Sequence, residues 1–206
     1  EMREPLLQAI AEERLKLYGS DPLESESLGS LIHDRHYSRL VALLKQAESD
    51  GRVLLGGEFD PLRRRIAPTL ISVQDEQDPL MADELFGPLL PVLEIENLDE
   101  AVQRIQKQDK PLALYLFGGS GSDQDHLLRT TSSGGVCFND VVMQAGVPDL
   151  PFGGVGASGM GAHHGEAGFR TFSHERSVLR RPFWLDLPQR YPPYTLKPET
   201  FRRLLS

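Results

Sequence analysis

The sequence predicts an α/β fold built on a parallel βαβ sheet. Apolar runs of strand length recur at Leu89–Ile95, Leu112–Phe117 and Gly135–Phe138. Helix signals fill the intervals. Asn97, with Glu100 three residues on, reads as a capping box, and Leu98, Ala101, Val102 and Ile105 make one apolar stripe. Asp123 opens a second helix running to about Thr131. Leu112–Phe117 is apolar throughout, the pattern of a strand covered on both faces. Strand–helix–strand–helix–strand implies right-handed crossovers, with ligands beyond the carboxyl ends of the strands. Asn139-Asp140 and the loop that follows leave one of those ends.

The elements before this unit follow from local signals. Residues 4–18 read as a helix with Leu7, Ile10, Ala11, Leu17 and Tyr18 on one face, Arg14 as the exception and Gly19 as the stop. Ser20–Gly29 is a polar loop. A second helix near 36–48 repeats Leu40, Leu43, Leu44 and Ala47 at helical spacing. Arg52–Leu55 is a short strand closed by Gly56-Gly57, and Pro61–Arg65 is a basic, solvated turn. Ile66–Val73 is a strand whose start Pro68 places at an edge or bulge. Asp75, Glu76 and Asp78 read as a solvated acidic loop. Beyond the regular unit, Phe169–Leu179 reads as a strand burying Phe172, Val178 and Leu179. Arg190–Tyr194 is extended, and Pro198–Leu205 is a last helical turn or two with Phe201, Leu204 and Leu205 apolar.

Composition narrows the function. The chain has 206 residues, 39% hydrophobic and 25% charged, and a formal net charge of −8, which argues against nucleic acid as the main partner. No apolar run is long enough to cross a bilayer. Cys137 is the single cysteine, so no internal disulfide forms and a reducing compartment such as the cytoplasm fits.

The stretch Pro151–Gly161 is glycine-dense, with Phe152 and Met160 its only large side chains. Much glycine in one place means close backbone approach or positive φ, and a bare backbone with one aromatic suits a pocket wall. Gly154–Gly159 fits G-x-G-x-x-G, but no strand leads in, and Gly165 and Gly168 oppose a helix after it, so a dinucleotide fingerprint is disfavoured. Glu84-Leu85-Phe86-Gly87-Pro88 is a second candidate. A carboxylate in a fixed loop accepts from two neighbouring hydroxyls, as on a ribose, and Phe86 offers a face to a flat ring; a solvated acidic turn is the plainer alternative. Cys137 with His163 or His164 as base would make a nucleophile pair, but a cysteine between Val136 and Phe138 in a strand is more often a packing residue. The two adjacent histidines in an extended loop point apart, a poor spacing for a shared metal.

Taken in order, Glu84–Pro88, Lys110–Tyr115, Thr131–Val136, Asn139-Asp140, Pro151–Gly161 and Thr171–His174 resemble the carboxyl-terminal part of class 3 aldehyde dehydrogenases, the subgroup that includes fatty-aldehyde enzymes. The resemblance runs from Glu1 to about Tyr194. It implies the catalytic-domain sheet of that family over 1–150, then a glycine loop, an oligomerisation strand and an extended tail over 151–206. It implies NAD- or NADP-dependent oxidation of medium- or long-chain or aromatic aldehydes to acids, and a homodimer. By position, Glu84 matches the glutamate on the nicotinamide-ribose hydroxyls and Phe86 the aromatic beside the nicotinamide. Asn139, Val142, Gly146, Phe152 and His164 match positions lining or bordering the aldehyde pocket; small Ala145 and Gly146 suit bulky aldehydes. The family's nucleophilic cysteine and general-base glutamate match nothing here, so catalysis by this chain alone is not expected. Two other readings stay open: a non-catalytic binding or dimerisation module of the same fold, and a cysteine hydrolase using Cys137.

Overall fold

A computed structural model describes residues 2–186, 188, 191–194 and 197–205. The chain divides into two compact units, Glu1–Gln108 and Asp109–Ser206. Within the second unit the glycine loop folds onto that unit's own strands. A Cβ on Gly134, just ahead of one strand, would meet the carbonyl oxygens of both Leu112 and Gly153.

The first unit opens with α1 (Arg3–Tyr18), ended by Gly19 at φ 78°, whose N–H donates to the Leu15 carbonyl at 2.9 Å. Its half-buried face is Leu7, Ile10, Ala11, Arg14 and Tyr18, whereas Leu17 points off it, 60% exposed. Arg14 belongs to that face because its guanidinium pairs with Glu58 at 2.6 Å. Helix α2 (Asp34–Ser49) supplies the core. Tyr37, Leu40, Val41, Leu44 and Ala47 are buried at helical spacing and meet Ile66, Ile71, Val73, Leu80 and Leu89. Leu40 and Leu44 are fully buried, each worth about 1.5–3 kcal/mol over exposure.

The strands of this unit are β1 (Val53–Leu55), the short hairpin of β2 (Phe59–Asp60) and β3 (Arg65–Ile66), β4 (Thr69–Val73) and β5 (Leu89–Leu93). The sheet order is β1-β4-β5, with β4 antiparallel to β1 and parallel to β5 from Thr69↔Leu89 to Val73↔Leu93. The strand expected from Ile66 is thus split at Pro68, which has no N–H for a ladder. Gly56 turns at φ +85° where a Cβ would lie 2.5 Å from the Pro68 carbonyl oxygen.

Two loops expected to be solvated are instead pinned. Arg63 pairs with Glu24 and Asp60, Arg64 with Asp34, and Arg65 donates to the Leu23 and Ser25 carbonyls, which ties down the 20–33 loop. Asp78 caps the 3-10 turn Pro79–Met81 and pairs with Arg52 at 2.7 Å, while Glu76 pairs with Arg104 at 2.9 Å. In α3 (Leu98–Lys107) the Asn97 cap forms as expected, accepting from the Glu100 N–H at 2.9 Å. The Glu100 carboxylate reaches one residue past a capping box, to the Glu96 N–H at 2.8 Å.

The second unit holds a βαβ: β6 (Ala113–Leu116), α4 (Gly121–Thr130) and β7 (Gly135–Phe138), with β6 and β7 parallel from Ala113↔Gly135 to Leu116↔Phe138. Ser120 and Asp123 form a full capping box, so the helix starts ahead of Asp123. The expected three-strand parallel run is divided, since β5 ladders with β4 and β6 with β7. Nor is β6 covered on both faces: Tyr115 is exposed, and Leu112 and Phe117 at its ends are open as well. Short α5 (Met143–Gly146) follows β7.

After the glycine loop comes α6 (Gly165–Thr171), where the sequence disfavoured a helix and then suggested a strand. Glu166 pairs with Arg170 one turn on at 2.7 Å, and Gly168 allows close passage over the His163 backbone. Residues 172–182 form no strand, and Phe172, Val178 and Leu179 are exposed rather than buried. Residues 191–193 bend rather than run extended, and Arg190 lies outside the described residues. Helix α7 (Pro198–Leu205) is present; the side chains of Phe201, Leu204 and Leu205 lie outside the described ones. Among the described residues, no helix is long and apolar enough to cross a membrane.

Candidate functional site

The Glu84–Gly87 loop is held from α2. Arg39 Nη2 donates to the Glu84 carbonyl at 3.0 Å and to the Leu85 carbonyl at 2.9 Å. His36 Nε2 donates to the Phe86 carbonyl at 2.8 Å. Leu85 packs against the core. A Cβ on Gly87 would strike the Leu40 side chain, so a bare backbone lets the loop sit down on the helix. What remains outward is chemical. Phe86 adopts φ 49°, unusual for a bulky residue, and the residue is 74% exposed. The Glu84 carboxylate is exposed and carries no hydrogen bond or ion pair among the described residues. Glu84 and Phe86 border an open hollow of about 580 Å³ together with Leu31, Ile32, His36 and Arg39. Sequence reasoning singled out Glu84 and Phe86 but missed His36 and Arg39. Their signal was available: two polar residues one turn apart on a helix whose next position, Leu40, is core.

In the second unit the residues after β7 are set by side-chain bonds. Asn139, at φ 57°, accepts the Gly118 N–H at its Oδ1 at 2.7 Å, and its own N–H donates to the Leu116 carbonyl. Val142 stands at φ 65°, a strained position for a β-branched residue. Its N–H donates to the Tyr115 hydroxyl at 3.2 Å, which also accepts from Gln144 Nε2 at 3.2 Å. Tyr115 was another omission; in the sequence it is only one more apolar strand residue. Gly146 ends α5 with open space where a Cβ would project.

Phe152 and His163 form an isolated antiparallel bridge, with N–H to carbonyl distances of 3.0 and 2.9 Å. The rings gather there. Phe152 meets His163 edge-on at 5.3 Å and stacks on His164 at 6.0 Å, and the two imidazoles are perpendicular at 4.3 Å. The histidines therefore converge, against the expectation that they point apart, because His164 turns to φ 76° and leaves the extended conformation. His164 Nδ1 is buried without a protein hydrogen bond. Among the described residues, no group of three or more His, Cys, Asp or Glu is placed to hold a metal.

The glycines of the loop are spacers for backbone. A Cβ on Gly153 would meet the Gly161 carbonyl, one on Gly154 the Ser158 carbonyl, and Gly156 bridges Gly159. The Val155 N–H donates to Ser158 Oγ at 2.9 Å. The loop closes on itself rather than around a phosphate. Cys137 is half-buried in β7, opposite Tyr115, and neither His163 nor His164 hydrogen-bonds to it among the described residues.

The chain is thus an α/β protein that presents a carboxylate-and-aromatic loop in one unit and a glycine hairpin carrying a Phe–His cluster in the other. The aldehyde dehydrogenase family profile matches residues 1–178, and the chain belongs to that family. Aldehyde dehydrogenase family 3 member B1 of Homo sapiens is 45% identical over 207 aligned residues, covering 100% of this chain and 43% of the human protein. The dimeric NADP-preferring aldehyde dehydrogenase of Mus musculus is 42% identical, covering 94% of this chain and 44% of its own length. A substrate-bound AldH structure from Staphylococcus aureus superposes with a TM-score of 0.85 at 36% identity, over 100% of this chain and 44% of that one. The chain thus spans less than half the length of the relatives it matches.

Proposed function

We propose that this chain is the carboxyl-terminal part of a class 3 aldehyde dehydrogenase that uses NAD or NADP to oxidise aldehydes, medium- or long-chain or aromatic ones, to carboxylic acids. The observation that carries this is the partnerless Glu84 carboxylate, presented beside the outward Phe86 ring by a loop pinned at three successive carbonyls. Ionised, it accepts from both hydroxyls of a ribose and so fixes the ring attached to that sugar. Phe86 gives that ring an apolar face. The cofactor, when bound, supplies the hydride acceptor.

In the second unit Phe152 forms an apolar wall for the aldehyde. The His164 stack sets its ring plane, and the unpartnered Nδ1 is a polar position for substrate or water. Asn139 uses its Oδ1 on Gly118, which leaves its amide N–H groups for an oxygen of the substrate. Val142 borders the site, and the open space at Gly146 favours bulky or long aldehydes. The nucleophile and general base belong to parts of the family fold that this chain does not match. We place the enzyme in a reducing compartment such as the cytoplasm, which the single cysteine of this chain, Cys137, supports. We propose a homodimer, supported by the exposed Phe169, Phe172, Val178 and Leu179. The relative's printed description as dimeric agrees with it.

Glu84→Gln in the full-length enzyme tests the reading. Hydride transfer should slow about tenfold or more, since a hydrogen bond to a charged group is worth about 1.5–3 kcal/mol. Iodoacetamide reactivity of the nucleophile should not change. Unaltered kinetics at limiting and saturating cofactor would remove Glu84 from the role.

A further inference from the structure

We infer that His36 and Arg39 are positioning residues for the cofactor ribose contact, acting through the backbone of Glu84–Phe86. The inference rests on the role proposed for Glu84. Three consecutive carbonyls, of Glu84, Leu85 and Phe86, accept from side chains on one face of α2. The next residue on that face, Leu40, underlies Gly87. Polar clamp and apolar seat therefore occupy adjacent positions, i, i+3 and i+4, of the helix that also supplies Tyr37, Val41, Leu44 and Ala47 to the core. A surface loop ordinarily leaves such carbonyls to water. Here they are tied to the most buried helix of the unit, with Phe86 kept at a positive φ that a free loop would relax.

The chemistry of the clamp suits a positioning role. A carbonyl only accepts, so His36 Nε2 is the donor. Arg39 applies both of its bonds through one nitrogen, to successive oxygens. Both residues border the hollow beside Glu84, yet these donors are used on the loop rather than on a ligand. Their effect on the cofactor passes through where Glu84 stands, and misplacement of a contact group by about 1 Å is enough to cost about a hundredfold in rate.

The test is a double-mutant cycle in the full-length enzyme with Arg39→Met, Glu84→Gln and both together. Cofactor KM, aldehyde KM, kcat and thermal unfolding are read for each. Arg39→Met should raise the cofactor KM about tenfold and leave the aldehyde KM unchanged. The double variant should be no worse than Glu84→Gln alone by more than about twofold, because contacts acting through one another are non-additive. Arg39→Lys, which keeps a cationic donor, should recover part of the loss. Additive effects would mean that Arg39 meets the ligand itself and would overturn the inference, as would an unchanged KM. A silent Glu84→Gln overturns the role of Glu84 and this inference with it; an effective Glu84→Gln beside a silent Arg39→Met removes the clamp alone. If Arg39→Met does not fold, His36→Leu and His36→Gln decide. A raised cofactor KM in the leucine variant, recovered by the glutamine donor, supports the clamp, and equal values in the two overturn it.

Discussion

Gly134→Ala should be among the more costly single-methyl additions in this chain. The added Cβ would lie 2.6 Å from the Leu112 carbonyl oxygen, closer still to that of Gly153, and 3.1 Å from the Gly154 Cα. All three are backbone atoms, so no rotamer change relieves the contact. Either β7 shifts against β6 or the glycine loop lifts. The Gly134 and Gly135 N–H groups donate to Pro111 and Leu112 at 2.9 Å, so a shift strains the start of the ladder. Overpacking costs about 1–3 kcal/mol, and the absence of side-chain relief puts this case at the upper end. Two further alanines calibrate it. At Gly87 the obstacle is the Leu40 side chain, which can yield, so the loss should be smaller. At Gly29 nothing lies within 4 Å, so the change should be neutral or gain about 0.4–1 kcal/mol through the unfolded state. Urea unfolding followed by far-UV circular dichroism gives the three values. A Gly134→Ala protein as stable as Gly29→Ala would refute the packing of the glycine loop on the strand ends.

Three other outcomes are expected. Phe152→Ala in the full-length enzyme should weaken longer aldehydes selectively, by about 0.8 kcal/mol per methylene shielded; kcat/KM across a chain-length series checks it, and equal losses at all lengths would make Phe152 structural. The carboxyls of Glu76 and Glu100 are held below the ordinary 4.5, Glu76 by its hydrogen bond from Arg104, Glu100 by the Glu96 amide and then Arg104. A lowered folded-state value gives stability that is present above the unfolded value and lost as pH falls through the folded one. The urea midpoint should therefore decline below about pH 4.5, and Arg104→Met should flatten that decline. The 206-residue chain expressed by itself should show no NAD(P) reduction with aldehydes and should self-associate, read by absorbance and by size-exclusion chromatography with light scattering; a monodisperse monomer that oxidises aldehyde would contradict both.

Local signals carried much of the fold. Gly19 and Asn97 mark helix ends that need only neighbouring residues, and the leucines of α2 repeat on the face that is buried. Long-range partners were not legible. The basic turn at Arg63–Arg65 looked solvated because its acceptors lie some thirty to forty residues earlier, at Glu24, Asp34, Leu23 and Ser25. Phe169–Leu179 alternates like a strand, but no strand of this chain pairs with it among the described residues, while a local Glu166–Arg170 pair favours a helix over its first part. For the site, Glu84 and Phe86 stood out by residue type. Their supports, His36 and Arg39, are separated from them by nearly fifty positions and looked like an ordinary polar helix face.

The glycine hairpin bears on how this region tolerates variation. Solvent exposure commonly marks a loop as permissive ground for substitution. Here Gly153 and Gly154 each abut a carbonyl of the opposite limb, so side chains are refused at the surface as firmly as in a core. Room remains between them: Ala157 is open to solvent and Met160 is 95% exposed. A mutant library drawn uniformly across Pro151–Gly161 would spend most of its members on misfolded protein. One confined to Phe152, Ala157 and Met160 would vary the chemistry of the rim while the hairpin keeps its shape.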